Sequence, residues 1–222
     1  MLKLYHCPNA RSFRALWTLE EMALPYELEV LPFPPRVKCK AFLELNPLGT
    51  VPLLIDGDVR MTESAAICQY LPVRHGPSDL AVRPDEPGYA DWLEWLHFSE
   101  ATLTYPLTIA LRYGFLTPED QRPPLVADDH KAKFLGRLRL LESLFQDREY
   151  VAAGRFTSAD IAVAFNFTLG DFMKLTSDYP PAVAAYWERL KTRPGYERTV
   201  DAQRRGIAAM KARLAAEEPA GS

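Results

Sequence analysis

The sequence contains few of the residues that build disulfide frameworks or metal sites. Its 222 residues include three cysteines, Cys7, Cys39 and Cys68, with no C-x-x-C spacing. An odd number of cysteines without paired spacing indicates neither a disulfide scaffold nor a zinc site, and we expect no metal. We expect Cys39 and Cys68 to pack against apolar neighbours instead of reacting.

The sequence also lacks the patterns of several other classes of protein. No run of 18 apolar residues occurs, so we predict no membrane span. The net charge is −3 and no basic stripe alternates with aromatic residues, which argues against nucleic acid as a partner. Residues 1–5 lead directly into a strand without a signal-peptide pattern, so we expect a cytoplasmic protein.

The first part of the chain predicts an α/β domain. The composition, 48% hydrophobic and 25% charged, is typical of a globular protein of one or two domains. Strand patterns occupy residues 2–6, 26–31, 51–55 and 59–62, and helix patterns occupy residues 12–23, 36–45 and 63–71. The resulting order is βαβ, then a helix, then ββα. This is the plan of a thioredoxin-like domain, which we place at residues 1–75.

The second part predicts an all-α helical-bundle domain at residues 89–216. A linker precedes it at residues 76–88, which are rich in Pro, Gly, Asp and Arg. Helix patterns occupy residues 89–116 (with a bend at Pro106), 129–146, 161–169, 181–192 and 195–215. Thr157 and Asp160 form a capping-box pattern ahead of the third helix. We expect the tail at residues 217–222 to be disordered.

Residues 46–67 carry the most informative pattern of the chain. Asn-Pro-Leu-Gly at residues 46–49 predicts a turn that delivers Val51-Pro52 to a strand. Asp-Gly at residues 56–57 predicts a hairpin, and the second strand leads into a helix that begins with Glu63-Ser64. Each of these features alone is common in structural turns and caps. Their series at this spacing indicates a ligand site.

The predicted geometry suits a peptide with a free amino-acid end. Pro52 has no N–H and a Val-Pro bond is one of the few that adopt the cis form, so Val51 can present its N–H and C=O to a ligand. Ser64 and the unpaired N–H groups at the helix start suit a carboxylate. Glu63 suits an ammonium group.

This series resembles the glutathione site of the cytosolic-type glutathione S-transferase family, whose N-terminal domain carries Val-Pro and Asp/Glu-Ser-x-Ala-Ile in the same arrangement. The resemblance, to the bacterial theta-, beta- and nu-like members, extends over nearly the whole chain. It implies that glutathione is the co-substrate, bound by Val51, Pro52, Glu63 and Ser64. It also implies conjugation of the glutathione thiolate to a hydrophobic electrophile, a role in detoxification, and a homodimer.

The family's usual group for activating the thiol is missing. A thiol with a pKa near 8.5 becomes a nucleophile when a donor and a helix N-terminus stabilise its thiolate. With Arg14 taken as the family's helix arginine, Ala10 occupies the position of the theta-like catalytic serine. Asn9, Ser12 and Arg11 remain as non-covalent candidates at the start of the first helix.

Cys7 suggests a different chemistry. Cys-Pro-Asn-Ala at residues 7–10 resembles the Cys-Pro-x-Ala start of omega-like and glutaredoxin-like members, in which the cysteine forms a mixed disulfide with glutathione. Cys7 follows Tyr5 by two residues, however, where those members have a longer loop. In a third interpretation, Cys7 is a buried apolar residue and Ser12 is only a helix N-cap.

The resemblance implies further contacts at both ends of the ligand. Lys38 and Lys40 lie near where the family places a cation for the glycine carboxylate of glutathione. We expect the electrophile to lie in an aromatic pocket formed by the first helix of the second domain, with Tyr105, Arg112 and Tyr113 as its polar groups.

Two alternatives to a transferase stay open at this point. One is a glutathione-dependent thiol-disulfide oxidoreductase or peroxidase that acts through Cys7 or through glutathione alone. The other is a non-enzymatic glutathione-binding or scaffold module, which the alanine at position 10 leaves open. An isomerase is disfavoured, since the serine-cysteine signature of zeta-like isomerases is absent from residues 9–14.

Overall fold

The computed structural model describes residues 1–217, which divide into two compact units. The first unit comprises Met1–Leu71 together with the residues from Thr192 onward, and the second comprises Pro72–Lys191. The strands are β1 (Leu2–His6), β2 (Tyr26–Val30), β3 (Leu53–Asp56) and β4 (Val59–Met61). The helices are α1 (Ser12–Glu21), α2 (Pro35–Lys38), α3 (Phe42–Leu45), α4 (Ser64–Arg74), α5 (Tyr89–Phe98), α6 (Tyr105–Leu111), α7 (Val126–Leu144), α8 (Ser158–Phe172), α9 (Pro181–Lys191) and α10 (Pro194–Glu217).

The first unit is built on a four-stranded sheet in the order β2-β1-β3-β4. β1 is parallel to β2 and antiparallel to β3, and β4 pairs antiparallel with β3. Leu4, Leu54 and Ile67 belong to one buried core with Leu16 of α1 and Leu71 of α4. The predicted thioredoxin-like plan is confirmed.

α1 is buried from Ser12 to Leu19, because α10 packs against it in addition to the sheet. The ring centroids of Trp17 and Tyr196 are 4.9 Å apart, and Arg193 donates to both carboxylate oxygens of Glu21, at 2.9 and 3.0 Å. The predicted all-α domain, residues 89–216, included α10. In the structure, α10 contacts α1 and β2 and therefore belongs to the first unit.

Two predicted elements of the first unit differ from the observed ones. The helix predicted at residues 36–45 is two short helices, because Cys39 leaves helical geometry at φ −137° and ψ 75°. The strand predicted at residues 51–55 begins at Leu53, since Pro52 has no N–H to donate to a neighbouring strand. α4 continues past its predicted end to Arg74.

The bend predicted at Pro106 is a widened stretch of helix. A π-helical turn, Ser99–Thr104, separates α5 from α6, and a second one, Arg112–Leu116, follows α6. Pro106 offers no N–H to the carbonyl of Thr102, four residues earlier, and the guanidinium of Arg137 in α7 donates to that carbonyl instead.

The capping box predicted at the start of α8 is confirmed. The hydroxyl oxygen of Thr157 accepts a hydrogen bond from the N–H of Ala159, while a carboxylate oxygen of Asp160 accepts one from the N–H of Thr157. α8 is buried along nearly its whole length. Of the tail predicted to be disordered, residue 217 is the last residue of α10 and residues 218–222 lie outside the described part of the chain.

Candidate functional site

A tight turn joins β1 to α1 and exposes Asn9. The N–H of Ala10 donates to the carbonyl of Cys7 at 3.3 Å, and Asn9 has a φ of 55°. Proline at the second position and a positive φ at the third are the signature of a type II turn, and asparagine tolerates that φ better than most residues. Asn9 is exposed, and the half-buried Arg11 is the residue before the helix.

Ser12 is fully buried and its hydroxyl has two partners within the protein. Its oxygen lies 2.8 Å from Nδ1 of His6 and accepts the N–H of Cys7 at 3.3 Å. The other ring nitrogen of His6, Nε2, lies 3.0 Å from Oε1 of Gln203 in α10. An amide oxygen only accepts, so Nε2 carries the proton and Nδ1 accepts the hydroxyl proton of Ser12.

These contacts exclude Ser12 from the role of thiol donor predicted above. Its proton is held by His6, and its side chain has no exposure to a ligand. Burial lowers the pKa of His6 to about 4, so the ring is neutral at pH 7 and keeps this arrangement of protons. Ser12 also makes no N-cap, because Arg11 precedes it in helical geometry without a side-chain cap.

Cys7 is placed as a buried structural residue. Its Sγ donates to the carbonyl of Leu31 at 3.2 Å, and it packs in a cluster with Leu31, Phe42 and Leu53. Burial raises the pKa of the thiol to about 12, so the nucleophilic thiolate is not formed near neutral pH. This position is unsuited to the mixed-disulfide chemistry considered above.

The loop before β3 is fixed by Asn46 and Gly49. The Asn46 amide donates to the carbonyl of Thr50 at 2.8 Å and its Oδ1 accepts the N–H of Leu48 at 3.2 Å. Gly49 has a φ of +60°, and a Cβ there would lie 2.5 Å from Cβ of Arg36, so glycine is required. The sequence indicated the turn but not the role of the buried Asn46 side chain.

This loop ends in a cis peptide between Val51 and Pro52. The pairing of β3 with β1 begins at Leu53, opposite Tyr5. Within residues 1–217, the N–H and C=O of Val51 therefore have no partner in the sheet. Val51 is half-buried, and backbone that lies outside the pairing of a sheet can bind an extended ligand as an added strand.

The start of α4 is held by a buried arginine. Nη1 of Arg14 in α1 donates to Oγ of Ser64 at 3.0 Å, and both side chains are buried. Glu63 is exposed, and its carbonyl accepts the N–H of Ile67 at 2.9 Å, which makes it the residue before the helix. The first N–H groups of α4, with Arg14 behind Ser64, give this end of the helix a positive potential that suits a carboxylate.

From the sequence, Arg14 was identified only as the family's helix arginine, and no structural role was predicted for it. Its position within an otherwise apolar, buried stretch of α1 was the signal available for a structural role, since a buried charge requires partners.

The register brings these features to one end of the sheet. β1 ends and β3 begins at this edge, and β4 ends there as well. Ala10 of the first turn and Val51 pack against the same cluster as Cys7. The turn that carries Asn9, the residue Val51 and the start of α4 at Ser64 therefore lie toward one end of the sheet.

Lys38 and Lys40 are both exposed and lie on either side of Cys39. Lys38 is the last residue of α2, and Lys40 lies in the break before α3. Their predicted contact with a carboxylate stays a prediction.

The predicted pocket residues of the second unit lie on or beside α6. Tyr105 is 58% exposed, and Arg112, two turns further on, is also exposed. The Arg112 guanidinium lies 5.6 Å from the ring centroid of the half-buried Tyr113. A pair of exposed rings, Phe115 and Phe172, was not predicted from the sequence, and their centroids are 5.9 Å apart.

Two kinds of feature are absent from the described residues. None of the helices within residues 1–217 combines the length and apolar character that a membrane crossing requires. Over the same residues, no group of three or more His, Cys, Asp or Glu side chains is arranged to hold a metal ion.

Comparison with known proteins gave matches over both parts of the chain. The family model for the glutathione S-transferase N-terminal domain matches residues 6–74, and the model for the C-terminal domain matches residues 104–194. Glutathione S-transferase 3 of Schizosaccharomyces pombe is 32% identical over 178 residues, which cover 74% of this chain and 72% of that protein. Glutathione S-transferase F9 of Arabidopsis thaliana is 29% identical over 214 residues, covering 90% and 96%.

Solved structures agree with these matches. The glutathione transferase URE2P6 of Phanerochaete chrysosporium, in complex with oxidized glutathione, has a TM-score of 0.80 at 25% identity and covers 92% of this chain and 97% of its own. A glutathione S-transferase from Xylella fastidiosa has a TM-score of 0.75 at 26% identity, covering 91% and 98%. The chain belongs to the glutathione S-transferase family.

Proposed function

We propose that this transferase binds glutathione at the edge formed by Val51, Pro52, Glu63 and Ser64, and joins its thiolate to a hydrophobic electrophile. The observation that carries the proposal is the backbone of Val51, which lies outside the β1–β3 pairing at the same end of the sheet as the Arg14-supported Ser64. Transferase function follows from family membership, and the residue roles are our proposal.

Each part of glutathione has a chemically suited partner in this proposal. The backbone of Val51 pairs with the cysteinyl residue as an added strand does. Ser64 and the N-terminus of α4 bind the γ-glutamyl carboxylate, and Glu63 binds the adjacent ammonium group. Lys38 or Lys40 binds the glycine carboxylate.

We assign stabilisation of the thiolate to the turn that precedes α1. Asn9 is exposed there and its amide N–H groups are donors, while the helix N-terminus and Arg11 add positive potential. Ser12 and Cys7 are not assigned this role, because both are buried and hydrogen-bonded within the protein.

The electrophile is proposed to bind at the aromatic surface of Tyr105, Arg112 and Tyr113. The exposed ring of Tyr105 and the half-buried ring of Tyr113 supply apolar area, and the Arg112 guanidinium supplies a polar contact for a substituent such as a nitro group. We further propose that the protein is a cytoplasmic homodimer with a role in detoxification, as the family resemblance implies. A sedimentation mass near that of one chain would contradict the dimer.

Different observations argue against the two alternatives, an oxidoreductase and a non-enzymatic module. Thiol-disulfide chemistry through Cys7 conflicts with the burial and raised pKa of that thiol. A purely non-enzymatic role conflicts with the names of the relatives. They match this chain over most of their own length and are named as glutathione S-transferases.

The decisive experiment follows the thiol of bound glutathione by its ultraviolet thiolate absorbance across pH 5 to 9. We expect a bound thiol that titrates below about 8.5, the ordinary value. Asn9→Gly keeps the left-handed backbone and removes only the side chain, so the thiol pKa should rise and kcat with 1-chloro-2,4-dinitrobenzene should fall about tenfold. Unchanged values in Asn9→Gly would refute the assignment of Asn9.

Binding of the amino-acid end is tested separately. Glu63→Gln should raise the KM for glutathione about tenfold with little change in kcat, because the contact is the same in the ground and transition states. Asp58→Asn, another exposed carboxylate of the first unit, is the matched control and should leave both constants unchanged. If the two variants behave alike, Glu63 does not bind the ammonium group.

A further inference from the structure

A buried hydrogen-bonded chain links α10 to the turn that carries Asn9. It runs from Oε1 of Gln203 to Nε2 of His6 at 3.0 Å, and from Nδ1 of His6 to Oγ of Ser12 at 2.8 Å. Oγ of Ser12 accepts the N–H of Cys7 at 3.3 Å, the first residue of the turn. These hydrogen bonds thus link residues almost 200 positions apart in sequence. The last of them is made by Cys7, the first residue of the turn that carries Asn9, the proposed thiol donor.

The direction of every bond in this chain follows from Gln203. Its amide oxygen accepts, which places the proton of His6 on Nε2 and leaves Nδ1 as an acceptor for the Ser12 hydroxyl. Without that acceptor the ring is free to carry its proton on Nδ1. The Ser12 hydroxyl proton would then lose its partner, in a site too buried for water to replace it readily.

Gln203 is held in place by contacts on both sides of it in the sequence. Arg193, the residue immediately before α10, binds Glu21 of α1 with two hydrogen bonds. Arg213, on the other side, donates to Glu29 and to the carbonyl of Val30 in β2. Gln203 therefore meets His6 from a helix that is fixed to both α1 and β2.

We propose that Gln203 is a positioning residue, which acts through His6 and Ser12 to fix the turn at residues 7–10 and thereby the position of Asn9. This inference rests on the proposed function, in which Asn9 stabilises the glutathione thiolate. It assigns a catalytic consequence to a residue of the last helix that does not touch the substrate.

The test replaces Gln203 by leucine, with Gln203→Met as a second variant of unbranched shape if the first folds poorly. Lys211→Leu, an exposed change on the same helix, is the control. In both Gln203 variants we expect kcat to fall about tenfold at an unchanged KM for glutathione, since a small displacement of a catalytic group costs rate before it costs binding. The pKa of the bound thiol should rise with the loss of kcat.

A spectroscopic measurement separates positioning from general destabilisation. The ¹⁵N shifts of the His6 ring should show a single Nε2–H tautomer in the wild type and in Lys211→Leu, and a mixture of tautomers in the Gln203 variants. If Gln203→Leu or Gln203→Met keeps the wild-type thiol pKa and kcat, the inference about Gln203 is overturned and the proposed function is unaffected. Absence of thiolate absorbance in the wild type would overturn the proposed function, and the inference with it.

Discussion

Replacing Asp160 by alanine should strongly destabilise the second unit. One carboxylate oxygen of Asp160 accepts the N–H of Val151 at 3.0 Å and the hydroxyl of Tyr186 at 2.8 Å. The other accepts the N–H and the hydroxyl of Thr157, at 2.8 and 3.1 Å. The carboxylate is fully buried, so alanine would leave these donors without an acceptor in a site closed to bulk water.

The magnitude follows from the groups left unpaired. Each buried donor without a partner costs about 1–3 kcal/mol, and three of the four donors, the two N–H groups and the Tyr186 hydroxyl, have no obvious alternative. The buried charge offsets part of this, since burial raises the pKa of Asp160 to about 6. We expect a net loss of about 3–5 kcal/mol and a fall in Tm of about 10 °C.

Urea unfolding followed by tryptophan fluorescence measures this loss. Nε1 of Trp92 donates to Oγ of Ser158 at 3.1 Å, in the first turn of the capped helix, so this fluorophore reports on the affected region. Asp147→Ala, an exposed aspartate in the same unit, is the control and should change stability by less than about 0.5 kcal/mol. A loss below about 1 kcal/mol in Asp160→Ala would refute the reasoning from unpaired donors.

Other measurements test the pH dependence, the cysteines and the packing of α10. The pKa of Asp160 is about 6 in the folded protein against about 3.9 unfolded, so its protonation favours folding below pH 4 and this contribution is lost as pH rises through 6. Denaturation midpoints from pH 4 to 7 should show that slope in the wild type and not in Asp160→Asn. An alkylating reagent should modify the half-buried Cys39 before the fully buried Cys7, which peptide mass spectrometry detects; equal labelling would contradict the burial argument. Gly206→Ala would place a Cβ 2.4 Å from a valine methyl of β2 and should cost about 1–3 kcal/mol by denaturant titration, whereas Gly136→Ala, where the nearest atom is 3.7 Å away, should not destabilise.

The sequence predicted those parts of the fold whose signals are local. The strand alternation of β1, the Asp-Gly hairpin between β3 and β4, and the Thr157–Asp160 capping box each occupy a few adjacent residues. The series from Val51-Pro52 to Glu63-Ser64, which predicted a ligand site, is local in the same sense, because the hairpin between the two pairs fixes their separation.

Other features depend on partners that local patterns do not reveal. Ser12 had the sequence position of a donor or a cap, yet His6 and Cys7 engage its hydroxyl. The widened helix before Pro106 depends on Arg137, which lies 35 residues beyond the carbonyl it binds. The partner of His6, Gln203, comes from a helix that the sequence assigned to the other domain.

The return of α10 to the first unit has a consequence for folding during synthesis. Residues 72–191 are all available once Lys191 has left the ribosome, whereas the first unit still lacks Arg193, which binds Glu21, and α10, whose Tyr196 packs against Trp17. Although domains generally fold in order from the N-terminus, the segment translated first here completes its structure last. A fragment ending near residue 75 would therefore expose an unfinished apolar surface and would be a poor substitute for the first unit in binding studies.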